Sequence, residues 1–269
     1  MSAKRIMIAG LCIVAALAMS AAAAATASAT APEYGRCLKA EKNAKKEYNG
    51  SFSDSKCTKE VPAGERAKKG KYLWDPGAGK AKFTSTGGAG VLTTVGGSSV
   101  ECKAESSTGE FVPGNDKEEA GIVVTFTGCK SLSLPCTSPG AKAGELTTNQ
   151  LEGIVGWESK AAKKTDLELY PAKSVKSGQF IEFECSGLAV KVSGKVLVPI
   201  KNDKMTQTET LKFKATKGKQ KPEKWEESPE KAVLEASFSN FKGGVFEQAG
   251  QDITSTVTGE EKLELNAVI

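Results

Sequence analysis

Histidine is absent from all 269 residues, and this absence limits the chemistry that the chain can perform. Without imidazole, Ser-His-Asp and Cys-His nucleophilic catalysis are excluded, as are histidine general acid–base catalysis and most catalytic zinc sites. Gly77-Ala78-Gly79-Lys80 lacks the hydroxyl residue that completes a phosphate-binding loop. Asn115-Asp116 and Asn202-Asp203 lack calcium-loop spacing and are predicted Asx turns. We therefore expect a non-enzymatic protein with no metal and no cofactor.

Two carboxylates at strand spacing leave one catalytic alternative open. Glu182 and Glu184 alternate with the apolar Ile181, Phe183 and Cys185. This alternation would put both carboxylates on one face of a strand, about 6.6 Å apart at Cα. That separation is compatible with a carboxylate-only glycoside hydrolase. A solvated strand face is the favoured interpretation, because nothing in the neighbouring sequence indicates a pocket that raises a carboxyl pKa.

Aromatic and basic side chains supply the candidate binding residues. Lysines crowd the segment 212–224, and a tryptophan follows it directly. A basic loop beside an aromatic ring can bind an anionic polymer or a sugar. Neighbouring glutamates dilute this charge, which favours a solvated loop, and Trp157 is expected in the core. The candidate ligand-binding residues are Trp74, Trp225, Lys217, Lys219 and Lys221.

Cysteine number and spacing predict disulfides. Of the seven cysteines, Cys12 lies in the apolar N-terminal run, and the even number that remains is typical of paired cysteines in an exported protein. Loop-closure entropy favours near neighbours. Free buried thiols are the alternative. The predicted bridges are Cys37–Cys57, Cys129–Cys136 and Cys102–Cys185.

The N-terminus has the features of a secretion signal. Lys4 and Arg5 precede an apolar run, Ile6–Met19, and an alanine-rich stretch that ends in small-residue cleavage patterns. Residues 1–29 are therefore the predicted signal peptide. An uncleaved anchor is the alternative, since the run reaches the roughly 20 residues that a spanning helix needs. No later segment is apolar enough to cross a membrane, so the expected location is secreted or at the cell surface.

The charge balance argues against a nucleic-acid partner. Loss of Lys4 and Arg5 takes the 37 basic residues to 35, against 32 acidic ones, for a net charge of +3. This near balance lacks the basic excess of nucleic-acid-binding proteins. A cell-surface glycan or protein is the expected kind of partner.

The remaining sequence predicts an all-β architecture. Residues 30–80 are polar and lysine-rich and form a small disulfide-closed N-terminal segment. From residue 81 to 269, apolar and polar residues alternate, as Leu211 and Phe213 do with Lys212 and Lys214, and glycine and proline separate the runs. This pattern predicts an antiparallel β-sandwich or barrel of roughly a dozen strands.

Two halves of this β region share an order of motifs. Residues 98–172 and 181–267 each contain Glu-Cys, then a glycine, an apolar segment before Asn-Asp, a β run and a closing Leu-Glu-Leu. An internal duplication would explain this order. Generic β patterning is the alternative, because the spacing of the motifs drifts.

Several segments resemble a group of secreted proteins from high-GC Gram-positive soil bacteria. The resembling segments are Pro32–Cys37, Ser53–Cys57, Val123–Cys129, Leu151–Trp157 and Lys212–Gln220. The resemblance implies export and a β-rich fold, and it brings no activity or site residue to this chain.

The function expected from the sequence is a structural or binding role for a secreted, non-enzymatic β protein. The first alternative is a carbohydrate or cell-wall polymer binding module that uses Trp74, Trp225 and the lysine loop. The second alternative is the carboxylate-only glycoside hydrolase.

Overall fold

β-Strands account for nearly all of the secondary structure. The computed structural model describes residues 31–201, 204–239 and 244–266. The predicted signal peptide and Asn202-Asp203 lie outside the described residues. The first ten strands are β1 (Glu33–Lys39), β2 (Tyr72–Pro76), β3 (Lys82–Gly87), β4 (Gly90–Thr94), β5 (Ser99–Cys102), β6 (Ala104–Phe111), β7 (Glu118–Thr127), β8 (Lys130–Ser131), β9 (Leu134–Thr137) and β10 (Glu145–Thr147).

Nine further strands follow, and the helical content of the described residues is confined to one short segment. A 3-10 turn (Ala63–Glu65) leads into the four-residue helix α1 (Arg66–Lys69) between β1 and β2. The later strands are β11 (Leu151–Ser159), β12 (Lys164–Pro171), β13 (Gln179–Cys185), β14 (Leu188–Gly194), β15 (Val196–Ile200), β16 (Thr206–Thr216), β17 (Lys219–Lys221), β18 (Leu234–Ser239) and β19 (Glu247–Asn266).

Eight antiparallel strands form a closed barrel, which we name the main ring. Its order is β3, β6, β7, β11, β12, β15, β16 and β19, and β19 pairs again with β3. The ring closes where β15 lies beside β16. The prediction of an all-β fold is confirmed, and of its two alternatives the structure is the barrel.

The barrel wall continues into a second ring, which we name the disulfide ring. Its order is β4, β5, β8, β9, β13, β14, β18 and β19, and β19 pairs again with β4. The twenty-residue β19 runs through both rings. Breaks at Lys103, at Gly128-Cys129 and at Lys195 separate β5 from β6, β7 from β8 and β14 from β15, with one strand of each pair in each ring. The described residues therefore hold nineteen strands instead of roughly a dozen.

One apolar core fills both rings. Side chains alternate between this interior and solvent, so that Leu211 and Phe213 are buried while Lys212 and Lys214 are exposed. The period of two therefore identified the inward face correctly, because successive side chains of a strand point to opposite faces.

Three disulfides join the six cysteines of the described residues, and they indicate an oxidising environment. The prediction of Cys37–Cys57 is confirmed, and this bridge sits beside β1 and β2. The predictions of Cys129–Cys136 and Cys102–Cys185 are wrong. The observed bridges are Cys102–Cys129 and Cys136–Cys185.

The four remaining cysteines lie in one row across β5, β8, β9 and β13. Cys136 pairs in register with Cys185, and its amide donates to the carbonyl of Cys129 at 3.0 Å. A bridge between Cys129 and Cys136 would leave Cys102 and Cys185 at the ends of this row. Three strand spacings, about 14 Å, would then separate them. Disulfides need Cα atoms within about 7 Å, so only the observed pairing bridges all four.

The N-terminal segment covers one end of the main ring. β1 pairs with β2 on one side and with the end of β19 on the other. Arg36 on β1 donates to Asp75 at 2.5 Å and to Glu261 at 2.7 Å, so it links β2 to β19. The domain limits and the internal duplication expected from the sequence stay predictions.

Candidate functional site

Trp225 does not form an exposed binding platform. Its side chain is 8 % exposed and packs with Leu197, Ala232 and Ile154 on the outer face of the main ring. The ring lies directly over Gly156, where a Cβ atom would overlap it. Trp225 therefore seals the outside of the barrel wall, and no sugar ring can stack on it in this arrangement.

Trp74 belongs to a separate cluster. It packs on the Cys37–Cys57 bridge and Phe52, and its indole Nε1 donates to the Glu33 carboxylate at 2.5 Å. Trp74 and Trp225 thus serve two different packing clusters, and the structure does not bring them together.

The three candidate lysines lie on the β16–β17 hairpin and beside it. Lys217, Lys219 and Lys221 are all exposed. Lys221 forms an ion pair with Glu223 at 3.0 Å, and Lys231 approaches the same carboxylate at 3.6 Å. The charge of the loop is therefore partly neutralised.

The predicted carboxylate pair lies on an outer strand face. Glu182 is exposed and forms an ion pair with Lys191 at 3.4 Å, while Glu184 accepts a hydrogen bond from the Gly187 amide. Trp157 is fully buried, as expected. Asn115 accepts a hydrogen bond from the Lys117 amide, which is the predicted Asx turn.

The strongest candidate site is a cavity inside the barrel, which the sequence did not reveal. It has a volume of about 190 Å³ and lies among side chains from both rings. Its walls are mainly aromatic and aliphatic, with a few polar groups. Apolar lining residues include Phe83, Phe111, Ile122, Val124, Phe126 and Val257.

Glu105 places a buried carboxylate in this cavity wall. Its side chain is 7 % exposed. One carboxylate oxygen accepts the Ser85 hydroxyl at 2.8 Å, and the other accepts the Ser255 hydroxyl at 2.7 Å. Ser107 hydrogen-bonds Ser85 at 2.6 Å. Three adjacent strands, β19, β3 and β6, thus bring one carboxylate and three hydroxyls into an apolar interior.

The backbone explains why the Glu105 carboxylate fits there. Gly87 lies between Ser255 and Glu105 in the strand register. A Cβ atom on Gly87 would come within 2.6 Å of the carboxylate oxygen. The missing side chain therefore leaves the space that the carboxylate occupies.

Glu119 and Tyr34 form a second polar group near one end of the cavity. The Tyr34 hydroxyl donates to the Glu119 carboxylate at 2.5 Å, and both side chains are buried. Burial raises the pKa of Glu119 to about 7, and the hydrogen bond from Tyr34 offsets part of that rise. Burial, followed by the neighbouring Glu119, raises the pKa of Tyr34 well above its usual value.

A bulge in β19 marks where the cavity meets the surface. Thr206 pairs with Leu263 and Thr208 with Thr258, so two steps along β16 correspond to five along β19. The Gln207 side-chain amide donates to a carbonyl of this bulge at 3.1 Å. Gln207 and Thr208 are exposed and also line the cavity, which makes the bulge its mouth.

Asp166 is a buried carboxylate outside the cavity, located on the outer side of β12. It pairs in register with Gly156, under the Trp225 ring, and its side chain is 0 % exposed. Neither carboxylate oxygen has a hydrogen-bond partner among the described residues. Burial, with a smaller contribution from Glu158, raises the pKa of Asp166 to about 7, while Lys164 lowers it slightly.

We expect Ser85→Ala to lower the free energy of unfolding by about 1–3 kcal/mol, because one oxygen of the buried Glu105 carboxylate loses its donor. Urea denaturation measures this change. Ser106→Ala on β6 is the matched control, since Ser106 is exposed and should change stability by less than about 0.5 kcal/mol. Equal effects of the two variants would show that the hydroxyl contributes nothing to holding Glu105.

No metal centre is evident among the described ranges. Within 31–201, 204–239 and 244–266, no three acidic or cysteine side chains converge as metal ligands would. In the same ranges, no helix has the length and hydrophobicity of a membrane span.

Comparison with protein-family models, with curated proteins and with solved structures gave no match. The candidate site is therefore defined by the geometry of the barrel interior alone.

Proposed function

We propose that this chain is an exported, non-enzymatic binding protein that holds a small, largely apolar molecule inside its barrel. The observation that carries the proposal is the apolar cavity of about 190 Å³ with its mouth at the β19 bulge. Small-molecule sites are typically apolar cavities with a few fixed polar groups, and barrels are one of their common locations. The three disulfides support the exported location.

The size of the cavity limits the ligand. An engineered apolar cavity of about 150 Å³ stays dry and binds benzene. The cavity here is of similar size, and its polar groups are confined to a few positions. A single ring or a short chain with one polar group is therefore the ligand that fits.

The cavity also favours binding over carboxylate-only hydrolysis. Glu105 stands opposite Phe126 in the register of β6 and β7, and Glu119 stands opposite Phe111. Six residue positions along β6, about 20 Å at Cα, separate the strand positions of the two glutamates. Glycosidase carboxylates lie at most about 9.5 Å apart.

We expect the purified protein to bind fluorobenzene with a Kd of about 0.1–1 mM, a range that ligand efficiency allows for a molecule of this size. The line width and the chemical shift of the ligand's ¹⁹F NMR signal, followed during a titration with protein, measure the binding. Val257→Phe should weaken it roughly tenfold or more, because the larger side chain takes the space of at least two methylene groups.

Thr256→Phe is the matched control, because Thr256 is exposed on the same strand and points away from the cavity. Val257→Leu should give an intermediate loss. Circular dichroism and thermal melting show whether each variant keeps the fold. Binding of fluorobenzene by a folded Val257→Phe variant at the parent affinity would refute the cavity as the site, and no binding by the parent would refute the proposal.

A further inference from the structure

The charge of the cavity wall indicates which kind of polar group the ligand has. This inference rests on the proposed function. Four glutamates line the cavity, and no lysine or arginine does so within the part of the chain that the structure describes. The four are Glu105, Glu119, Glu209 and Glu261.

Three of these glutamates already have an identified role. Glu261 forms an ion pair with Arg36 and accepts a hydrogen bond from the Lys80 amide. Glu119 holds Tyr34, and its raised pKa reduces its charge near neutral pH. Glu209 lies near the mouth and accepts a hydrogen bond from the Lys201 amide.

Glu105 differs from the other three. Two serine hydroxyls donate to its carboxylate, and no ion pair joins it to a basic side chain among the described residues. A carboxylate has about four lone-pair sites, of which these hydroxyls use two. Its side chain is also almost fully removed from water. A buried carboxylate without a neighbouring cation is costly, and a bound cation would lower that cost.

We propose that the barrel binds small apolar amines, with the ammonium group of the ligand donating to Glu105 and the apolar part packed against the aromatic wall. Phe126 faces Glu105 across the β6–β7 register, so an apolar surface lies next to the carboxylate. An anionic ligand would meet four glutamates and no cation in this wall. A neutral ligand could donate a hydroxyl to Glu105, but it would bring no positive charge to the buried carboxylate.

Three ligands of matched shape test the proposal by isothermal titration calorimetry at pH 7. They are 2-phenylethylamine, 2-phenylethanol and phenylacetate, which share the ring and differ in the polar group. We expect the amine to bind about 10- to 100-fold more tightly than the alcohol, because only the amine pairs a positive charge with the buried carboxylate. We expect phenylacetate to bind most weakly.

Glu105→Gln should remove the preference for the amine, so that the amine and the alcohol bind with similar affinity. Glutamine keeps the shape and the carbonyl acceptor but lacks the charge. Glu110→Gln on the same strand is the matched control, since Glu110 is exposed, and it should keep the full preference. Ser85→Ala provides a second variant of the same cluster if Glu105→Gln does not fold, and it should reduce the preference by disturbing the carboxylate position.

The outcomes separate the two proposals. Equal binding of amine and alcohol by the parent protein would overturn the amine inference and leave the apolar binding function in place. A preference for the amine that survives Glu105→Gln would also overturn it. Failure of the parent to bind all three ligands and fluorobenzene would refute the binding function itself.

Discussion

Replacing Cys136 and Cys185 with serine should lower the free energy of unfolding by about 4 kcal/mol, as expected for a bridge closing a loop of this length. The bridge spans 49 residues of sequence. It also fastens the β8–β9 hairpin to β13, where only two residue pairs are in register. Guanidinium denaturation of the double variant, followed by circular dichroism, measures the loss.

The substitution should also disturb the cavity, because the β8–β9 hairpin completes the disulfide ring. On its other side the hairpin meets β5 through one registered pair, Glu101 with Lys130. Few backbone hydrogen bonds therefore hold it on either side. We expect the Cys136/Cys185 double variant to lose fluorobenzene binding together with stability.

The Cys37/Cys57 double variant is the matched control. Its bridge closes 20 residues in the N-terminal segment, away from the disulfide ring. It should lose about 3 kcal/mol by the same loop-closure argument but keep the cavity and its ligand. A loss below about 1 kcal/mol for the Cys136/Cys185 variant would show that packing alone closes the ring.

Stability should fall as the pH rises from 5 to 8, because two buried carboxyl groups, Glu119 and Asp166, have raised pKa values of about 7. In the unfolded chain these groups have ordinary pKa values near 4. The folded state therefore holds protons that the unfolded state releases, and this contribution is complete below about pH 4 and disappears as the pH rises through 7. Each group should cost about 2–3 kcal/mol between pH 5 and pH 8.

Glu119→Gln and Asp166→Asn should each raise stability at pH 8 and flatten the pH dependence. The glutamine can still accept the Tyr34 hydroxyl hydrogen bond. The asparagine removes a buried charge whose oxygens have no hydrogen-bond partner in the part of the chain that the structure describes. Thermal melting at half-unit pH steps measures both effects. Glu182 is exposed, so the control variant Glu182→Gln should keep the pH dependence of stability of the parent protein. A parent protein whose stability rises between pH 5 and pH 8 would contradict the prediction.

Local patterns in the sequence identified the strands but not their number. Leu211 and Phe213 were correctly placed inside because the two-residue period of a strand is a local property. The break at Lys195 gave no such signal, because the inward residues Val192, Val196 and Val198 keep the same two-residue period across it. β14 and β15 belong to different rings, but in the sequence they therefore look like one strand.

The candidate site could not be predicted from the sequence, for a different reason. Glu105, Ser85 and Ser255 come from three separate runs, and each looks like an ordinary polar residue in its own run. Their meeting depends on the register of β19, β3 and β6. The exposure of Trp225 could not be predicted for the same reason. Its neighbouring lysines indicated an exposed loop, whereas contacts with Leu197 and Ile154 bury the ring.

The amino-acid sequence by itself determined the β content, the inward faces of the strands, the fact that the six later cysteines form disulfides, and the local Cys37–Cys57 bridge. All of these depend on residues close together in the chain. Only the tertiary structure decided that the sheet closes into two rings, that Cys102 and Cys185 each join the β8–β9 hairpin instead of each other, and that a carboxylate faces an apolar cavity. These features depend on register and closure between strands distant in sequence, and no local pattern encodes which strands become neighbours.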